Sequence, residues 1–382
     1  MGGRWWVAIG LAAGLLARPF HAQEFELRGE LSLSLVASDA ADVDRQALLR
    51  YLPEITAHQE IGKDLTLDLD IAANAFATGQ WANSEEVARD EDADFYRGWI
   101  RLAGPRLEAR AGLQKISFGS ATVFRPLMWF DRVDPRDPLQ FTEGVTALLL
   151  RYVAPGDANL WAWGVLGTGD TKGWEAAPTP RDEIEFGGRA QLPLGPGELA
   201  LSYHRREADL GSLAPLPVPG VDPLATEERV GLDGKWDVGP GVWFEGAVTR
   251  QRGDLADGDW HPSYCLGADY TFGVGNGLTV LTEHFVLSSA APLGAPEPDD
   301  LRISSLSASY PLGTVDMVTA ALYWDWQNDD SYALIEWRRT RDRWRLHLIA
   351  FANPDRPPLF PSQGQVSSLA GTGVEAVFVF NH

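Results

Sequence analysis

Long runs in which polar and apolar side chains alternate limit most strongly what this chain can fold into. From Glu24 to Ala37 the polar residues through Ser34 alternate with Phe, Leu and Gly, which is the period of a β-strand with one polar and one apolar face. Similar runs follow at 64–71, 183–192, 227–238, 335–338 and 343–350. The polar face of the second run carries Asp64, Asp68 and Asp70. A face this acidic must meet water rather than a dry core.

The length of these runs favours strands that cross a membrane. They extend over roughly 10 to 13 residues, whereas strands of soluble sheets average about five or six and tilted membrane strands need about 9 to 11. Beyond the N-terminal segment no apolar stretch reaches the length of a membrane helix. A secreted propeller or β-sandwich is the alternative, but no repeat of blade length is visible.

The connections between the runs are of two alternating kinds. Short turns rich in Gly, Pro and charged residues occur at 62–64, 104–105, 154–157, 194–197, 239–241, 273–277, 311–314 and 340–342. Longer polar connections occur at 82–93, 119–141, 169–182, 207–226, 290–300 and 353–367. This order predicts an all-β fold, a single antiparallel up-and-down transmembrane barrel of about 16 to 18 strands with both termini on the periplasmic rim.

Aromatic residues support the same fold. The chain contains 15 Trp, 16 Phe and 9 Tyr but only 3 Met. Amphipathic rings near strand ends favour the level of the lipid headgroups. The candidates for such girdles are Trp236, Trp243, Trp324, Trp326, Trp337, Trp344, Tyr264, Tyr270 and Phe272.

Charge and cysteine content exclude several classes of function. With 32 Lys and Arg against 53 Asp and Glu, the formal net charge of -21 would repel nucleic acid. The single Cys265 cannot form an intrachain disulfide or a metal site built on several thiolates. We expect no metal and no cofactor.

The N-terminus has the pattern of a secretion signal. Arg4 precedes an apolar run from Trp5 to Ala17, and Ala22 offers a small residue before a cleavage site. We therefore predict a signal peptide at 1–22 and an outer-membrane barrel at 23–382. A TonB-type active transporter would need a globular plug ahead of the barrel, and the early start of strand alternation after the predicted signal disfavours this interpretation.

One segment resembles a known family of bacterial outer-membrane porins. The sequence RAGLQKISFG at 110–119, followed by WFD at 129–131 and EGV at 143–145, is similar to the strand, loop and strand of alginate-export and related sugar porins. In that family a G-R-Q strand precedes an F-D-G-V return, and here Leu113 and Glu143 replace its Arg and Asp. The resemblance implies a passive channel of a Gram-negative outer membrane and leaves the solute open.

A channel of this width needs a constriction to be selective. The candidate is the segment 119–141, in which Pro126, Pro135 and Pro138 would stiffen a loop folded into the pore. An extracellular loop with solvated charges is the alternative. The predicted constriction residues are Arg125, Asp131, Arg132, Asp134, Arg136 and Asp137.

Strand parity also predicts which charges line the lumen. One stripe is mainly basic and comprises Arg97, Arg101, Arg106, Glu108, Arg110 and Gln114. An acidic stripe, comprising Glu54, Glu60, Asp64, Asp68 and Asp70, is expected opposite to it. Such stripes would orient dipolar solutes, although any water-filled barrel has inward charges.

These features together predict a porin for small polar or anionic solutes, surrounded by outer-membrane lipid. A homotrimer is what the resemblance implies, because porins often trimerise. The scattered His residues and the lack of a G-x-S-x-G or H-E-x-x-H motif make a barrel lipase or protease the weaker interpretation. A structural or adhesive barrel without transport is the other alternative.

Overall fold

The chain forms one closed β-barrel. A computed structural model describes residues 24–213, 219–256, 260–288, 300–355 and 369–382. The predicted signal peptide at 1–22 lies outside these residues and stays a prediction. The strands are β1 (Glu24–Ser38), β2 (Arg45–Ile61), β3 (Leu65–Ala82), β4 (Glu85–Ala103), β5 (Leu107–Gln114), β6 (Val145–Val153), β7 (Asn159–Leu166), β8 (Ile184–Leu194), β9 (Gly197–Asp209), β10 (Leu224–Asp237), β11 (Gly241–Arg252), β12 (Trp260–Phe272), β13 (Leu278–Leu287), β14 (Leu301–Pro311), β15 (Asp316–Asp325), β16 (Asp330–Thr340), β17 (Trp344–Ala352) and β18 (Thr372–Asn381).

Each strand pairs antiparallel with its neighbours in sequence, and β1 pairs with β18 to close the ring. The predicted all-β barrel and the count of about eighteen strands are therefore confirmed. Closure leaves no sheet edge through the lipid, where unpaired backbone groups would be costly. Around the seam Leu33 faces Leu49 on one side and Phe378 on the other.

The two rims differ as expected. All eight predicted short turns join strands on one rim, where both described termini lie, and this is the periplasmic side of such a barrel.

The prediction of a long loop at 82–93 is wrong. There β3 and β4 continue to a two-residue turn at Asn83 and Ser84, both with positive φ. The acidic run that follows is polar enough to suggest a loop, but a strand can carry it because β3 pairs with it in water.

Alternation along the strands separates an apolar outside from a polar inside. Leu31, Leu33 and Leu35 of β1 are exposed on the outer surface, whereas Ser32 and Ser34 between them are buried inside the barrel. Ser34 donates a hydrogen bond of 2.6 Å to Glu375 of β18. The predicted outward face of the last strand is also present, since Val374 and Phe378 are exposed. The outer surface is therefore the apolar belt that a bilayer requires.

Most of the predicted girdle residues described here lie at strand ends, and Tyr264, Tyr270 and Trp326 are exposed on the outside. Trp243 is the exception, because its parity on β11 points it into the barrel, where it is 3% exposed. No helix among the described residues is long and apolar enough to cross a bilayer.

Candidate functional site

The connection between β5 and β6, residues 115–144, lies inside the barrel. It joins neighbouring strands, yet its side chains and backbone reach the wall far from them. Ser120 contacts Asp233 of β10, Phe124 stacks on Phe285 of β13, and the segment's end reaches Arg50 of β2. Only a loop that crosses the lumen can touch strands so widely separated around a closed ring. We call residues 115–144 the inner loop.

Glu283 of β13 holds the tip of the inner loop. Its carboxylate accepts hydrogen bonds from the consecutive backbone N–H groups of Thr122, Val123 and Phe124 at 2.7, 3.0 and 2.7 Å. The indole N–H of Trp243 donates a fourth bond of 2.8 Å. Backbone donors buried away from water need such partners, and bonds to a charged acceptor are the stronger kind.

Glu245 of β11, two strands from β13 along the inner wall, binds the same region of the loop. It accepts 2.9 Å from the N–H of Ala121 and 2.7 Å from that of Leu127, and its side chain is fully buried. Gly119 allows this approach: its φ is +110°, and an added Cβ would lie 2.2 Å from a carboxylate oxygen of Glu245. The sequence reasoning missed both glutamates, although strand parity alone would have pointed them inward.

Aromatic packing fills the space between the inner loop and the wall. Phe118 stacks on Trp163 at 5.4 Å and meets Trp129 edge-on at 5.5 Å. Trp129 in turn stacks on His204 at 5.8 Å. Leu127 and Ile116 are almost completely buried in the same cluster. This side of the barrel is thus a packed core and not an open channel.

The predicted constriction residues all lie within the inner loop, inside the barrel. Arg125 bonds Asp131 at 2.9 Å and Ser117 at 2.7 Å. Arg132 reaches Thr171 and the backbone oxygen of Gly173 at 3.0 and 3.2 Å. The charged groups form bonds that hold the loop in shape, and several of them are nearly inaccessible to water.

Asp134, Arg136 and Asp137 shape the far end of the loop. Arg136 forms two bonds of 3.0 and 2.7 Å with the two oxygens of Asp134, and both side chains are buried. Asp137 accepts the N–H groups of Leu139 and Phe141. Burial nevertheless raises the pKa of Asp137 above its usual value, since the cost of desolvation outweighs these two bonds.

A stack of four side chains fastens the end of the inner loop to the wall. The guanidinium of Arg50 lies 3.8 Å from the ring centre of Phe141, Phe141 stacks on Tyr96 at 5.0 Å, and Arg97 lies 3.8 Å from the ring of Tyr96. Arg97 also donates to the backbone oxygen of Thr142. The stack joins β2, the loop and β4. Together with the bonds to Glu245 and Glu283, it attaches the loop on both sides of the lumen.

A second connection, residues 167–183, is also buried in the barrel through an ionic cluster. Lys172 bonds Glu185 of β8 at 2.6 Å, and Glu185 contacts the buried His204. Glu175 lies 3.5 Å from Arg206 of β9 and 3.1 Å from Arg229 of β10. Glu227 completes the cluster with bonds to both arginines. Opposite charges in contact offset the cost of taking each from water.

A cavity of about 450 Å³ lies beside β1 to β4, between the inner loop and the wall. Its lining is mixed: Leu52, Leu139 and Phe141 are apolar, Tyr96 is amphipathic, and Arg28 and Glu54 carry charge. The cavity thus lies to one side of the barrel, away from the packed core of the inner loop.

The predicted lumen stripes need correction in their arrangement. The acidic and basic stripes do not face each other across the pore, because they lie on the adjacent strands β2 to β5 and pair directly. Asp68 bonds Arg101 at 2.9 Å, and within the basic stripe Glu108 lies 3.0 Å from Arg110. Asp64 and Arg106 are exposed turn residues of the periplasmic rim, since β3 and β5 begin only after them. Arg97 and Asp70 face inward near the cavity, Gln114 is buried against the backbone of β6, and Glu60 lies near the end of β2.

Within the described ranges no group of three or more His, Cys, Asp or Glu side chains could hold a metal ion.

Comparison with known proteins identifies the fold. No protein-family model matches the sequence, and no curated protein matches it. An anion-selective porin from Comamonas acidovorans superposes with a TM-score of 0.50 and 14% identity, over 94% of this chain and 99% of its own. Acinetobacter baumannii OccAB4 superposes with a TM-score of 0.56 and 10% identity, over 96% and 99%.

The fold is that of the bacterial porins. A closed barrel with an apolar belt outside and charged walls inside is built for a membrane, and barrels of this kind belong to the bacterial outer membrane.

Proposed function

We propose that the protein is a passive outer-membrane channel for small polar solutes. The observation that carries this proposal is the cavity of about 450 Å³ between the inner loop and the β1 to β4 wall. An 18-stranded barrel is wide enough for an aqueous lumen, and the packed loops reduce that lumen to a narrow, eccentric passage. A narrow passage with charged walls admits small solutes and excludes large ones.

The charge on the wall favours polar and dipolar solutes, and anionic ones among them. Arg97, Arg101 and Arg110 face the lumen from β4 and β5, and two of them pair with Asp68 or Glu108. A wall that carries both positive and negative side chains replaces part of a polar solute's hydration shell without binding its positive or negative group too tightly. Neutralising Arg101 and Arg110 together should lower the ratio of anion to cation permeability, and no change in that ratio would contradict the anionic preference.

The inner loop is the constriction in this proposal. The predicted constriction residues Arg125, Asp131, Arg132, Asp134, Arg136 and Asp137 are buried or half-buried, and they act by fixing the loop's shape rather than by touching the solute. Leu139 and Phe141 of the same loop are the side chains that border the cavity. They are the residues expected to set the size limit.

Reconstitution tests the proposal directly. The folded barrel should give discrete conductance steps in planar bilayers, and liposomes that contain it should swell in small sugars and organic acids but not in large oligosaccharides. Leu139→Ala should raise and Leu139→Trp should lower the conductance, whereas Leu213→Ala, in an exposed connection, should leave it unchanged. A folded barrel without conductance would favour the structural or adhesive alternative, and hydrolysis of lipid or peptide would favour a barrel enzyme.

We also propose contacts with outer-membrane lipid and assembly as a homotrimer. The outer surface carries an apolar groove with a volume of about 970 Å³ near the β1–β18 seam. Its lining includes Ala47, Ala350 and Ala376 beside Leu35 and Trp337. Small side chains allow close approach of another barrel. Chemical cross-linking in native membranes should give a species of three chains, and a monomer alone would contradict the trimer.

A further inference from the structure

We propose that Arg302 and His284 form a binding site for the phosphate group of an outer-leaflet lipid, on the outside of the barrel. The inference rests on the proposed contact with membrane lipid, names one site for it, and does not depend on conduction. β13 ends at Leu287 and β14 begins at Leu301, on the rim opposite to the short periplasmic turns. Both residues therefore lie within three residues of the extracellular end of their strands.

Strand parity directs both side chains out of the barrel. On β13, His284 is exposed and lies between Glu283 and Phe285, which are buried inside. On β14, Arg302 has the same parity as the outward-facing Leu306. The register pairs β13 and β14 continuously through these positions, so the two side chains are diagonal neighbours on the outer surface.

Hydrogen bonds orient the imidazole ring of His284. The indole N–H of Trp326 donates a bond of 2.8 Å to the hydroxyl of Ser304, and Nδ1 of His284 lies 2.9 Å from the same hydroxyl. Because an indole nitrogen only donates, the hydroxyl accepts there and has its own proton to give to Nδ1. The ring then carries its proton on Nε2. That N–H is a donor for an anion, in this tautomer as in the charged ring.

The guanidinium of Arg302 has no carboxylate partner among the described residues. Its outward neighbours across the sheet are Val286 and Trp326. Other outward arginines at this rim are paired, since Arg205 lies 3.8 Å from Glu207 and Arg252 lies 3.3 Å from Glu228. A cation at a membrane surface is stabilised by anionic lipid groups, and a guanidinium binds the oxygens of a phosphate particularly well.

The surroundings of the site are those of the headgroup level. Trp324 and Trp326 lie beside it at the end of β15, and amphipathic rings favour this level. One row nearer the periplasm, Leu306 and Leu322 are 51% and 41% exposed on the outer surface. A lipid whose acyl chains lie on these leucines would place its phosphate beside the two donors. The charge and the apolar surface thus fit one amphipathic molecule.

Lipid titration of the full-length folded barrel in detergent tests the inference, with native mass spectrometry to count bound lipid. The probe is diphosphorylated lipid A, and the comparison probes are its dephosphorylated form and inorganic phosphate. Arg302→Gln should weaken binding of the tightest lipid A about fivefold, the effect of one cation near a membrane surface. Arg252→Gln is the matched control, because Arg252 lies at the same rim but already pairs with Glu228.

A second variant keeps the test decisive if the first does not fold. His284→Phe removes the other donor and keeps a planar ring, and it should weaken lipid A binding in the same direction as Arg302→Gln. Heat-modifiable migration on gels verifies folding. Equal affinity of wild type and folded variants for lipid A, or of wild type for the dephosphorylated form, would overturn the phosphate site.

The remaining outcomes separate the lipid from other sources of phosphate and from the channel function. Binding of inorganic phosphate as tight as that of lipid A would overturn lipid as the occupant. The measurement needs no current. A barrel that binds lipid A at this site but does not conduct would therefore support the site and count against the channel function alone.

Discussion

Arg189 of β8 and Asp233 of β10 form a double hydrogen bond inside the barrel, with distances of 2.5 and 2.8 Å between guanidinium nitrogens and carboxylate oxygens. Both side chains are almost completely buried, at 3% and 2% exposure. Asp233 also accepts 2.9 Å from Ser120 of the inner loop. The pair therefore links two strands of the wall to the loop they support.

Removing one partner of this pair should be costly. Asp233→Ala would leave the Arg189 guanidinium buried without its counter-charge, and we expect the free energy of unfolding to fall by about 3–5 kcal/mol. Urea unfolding in detergent micelles measures the change. The control Asp316→Ala removes a pair with Arg339 at the periplasmic rim, where water screens the charge, and should change stability far less. Equal effects of the two variants would contradict this account.

The outer and inner faces of one strand should respond oppositely to a new charge. Ile55 and Thr56 are neighbours on β2, with Ile55 exposed on the outer surface and Thr56 facing the lumen. Ile55→Lys should destabilise the folded barrel in lipid by about 2–4 kcal/mol if the position lies near the middle of the bilayer, whereas Thr56→Lys should cost little. Folding yield into liposomes and urea midpoints report the difference. Similar tolerance at both positions would show that the apolar face does not meet lipid.

Contact between the two inserted segments should depend on one glycine. Gly173 has φ +46°, and an added Cβ would lie 1.7 Å from the backbone oxygen of Met128. Gly173→Ala should therefore separate residues 167–183 from the inner loop, and we expect a loss of about 1–3 kcal/mol and a noisier single-channel current.

The matched control is Gly156→Ala in a periplasmic turn. Gly156 also has positive φ, at +89°, but its Cβ would meet nothing within 4 Å. It should show the backbone strain without the displacement. A current as noisy as that of Gly173→Ala would locate the effect in strain alone.

Acid titration should reveal the raised pKa of Asp137. Because burial raises its pKa, the folded barrel keeps this proton to higher pH than the unfolded chain does. The free energy of unfolding should then fall as pH rises from about 4, the ordinary Asp value, through the raised folded value. Asp137→Asn cannot ionise and should show a smaller fall over that window. Urea midpoints at closely spaced pH values test this, with Asp64→Asn in an exposed turn as control, and parallel curves for wild type and Asp137→Asn would be the contrary result.

Much of the barrel wall could be predicted from the sequence, because side chains along a membrane strand alternate between the lipid-facing and lumen-facing sides. Each residue's face follows from its parity, so the exposure of Leu33 and Phe378 and the inward direction of Ser34 could be read directly. The eight short turns were predictable for a similar reason, since Gly, Pro and Asn are needed locally where the chain reverses. The hairpin at Asn83 was missed because an acidic strand that rises into water has the composition of a loop.

What lies inside the barrel was decided by contacts between distant residues. Local pattern places Glu245 and Glu283 on the inner face, but nothing near them in sequence shows that they receive the backbone of residues 121–127. The pairing of Asp68 with Arg101 likewise depends on the register of β3 against β4, which turned two expected opposing stripes into one neutralised wall. The sequence by itself determined an all-β barrel with an apolar outside, because strand period and turn chemistry act over a few residues. The tertiary structure alone decided where the loops pack and on which side of the lumen the cavity lies. The reason is that buried polar groups pair with residues that are distant in sequence and lie anywhere around the barrel.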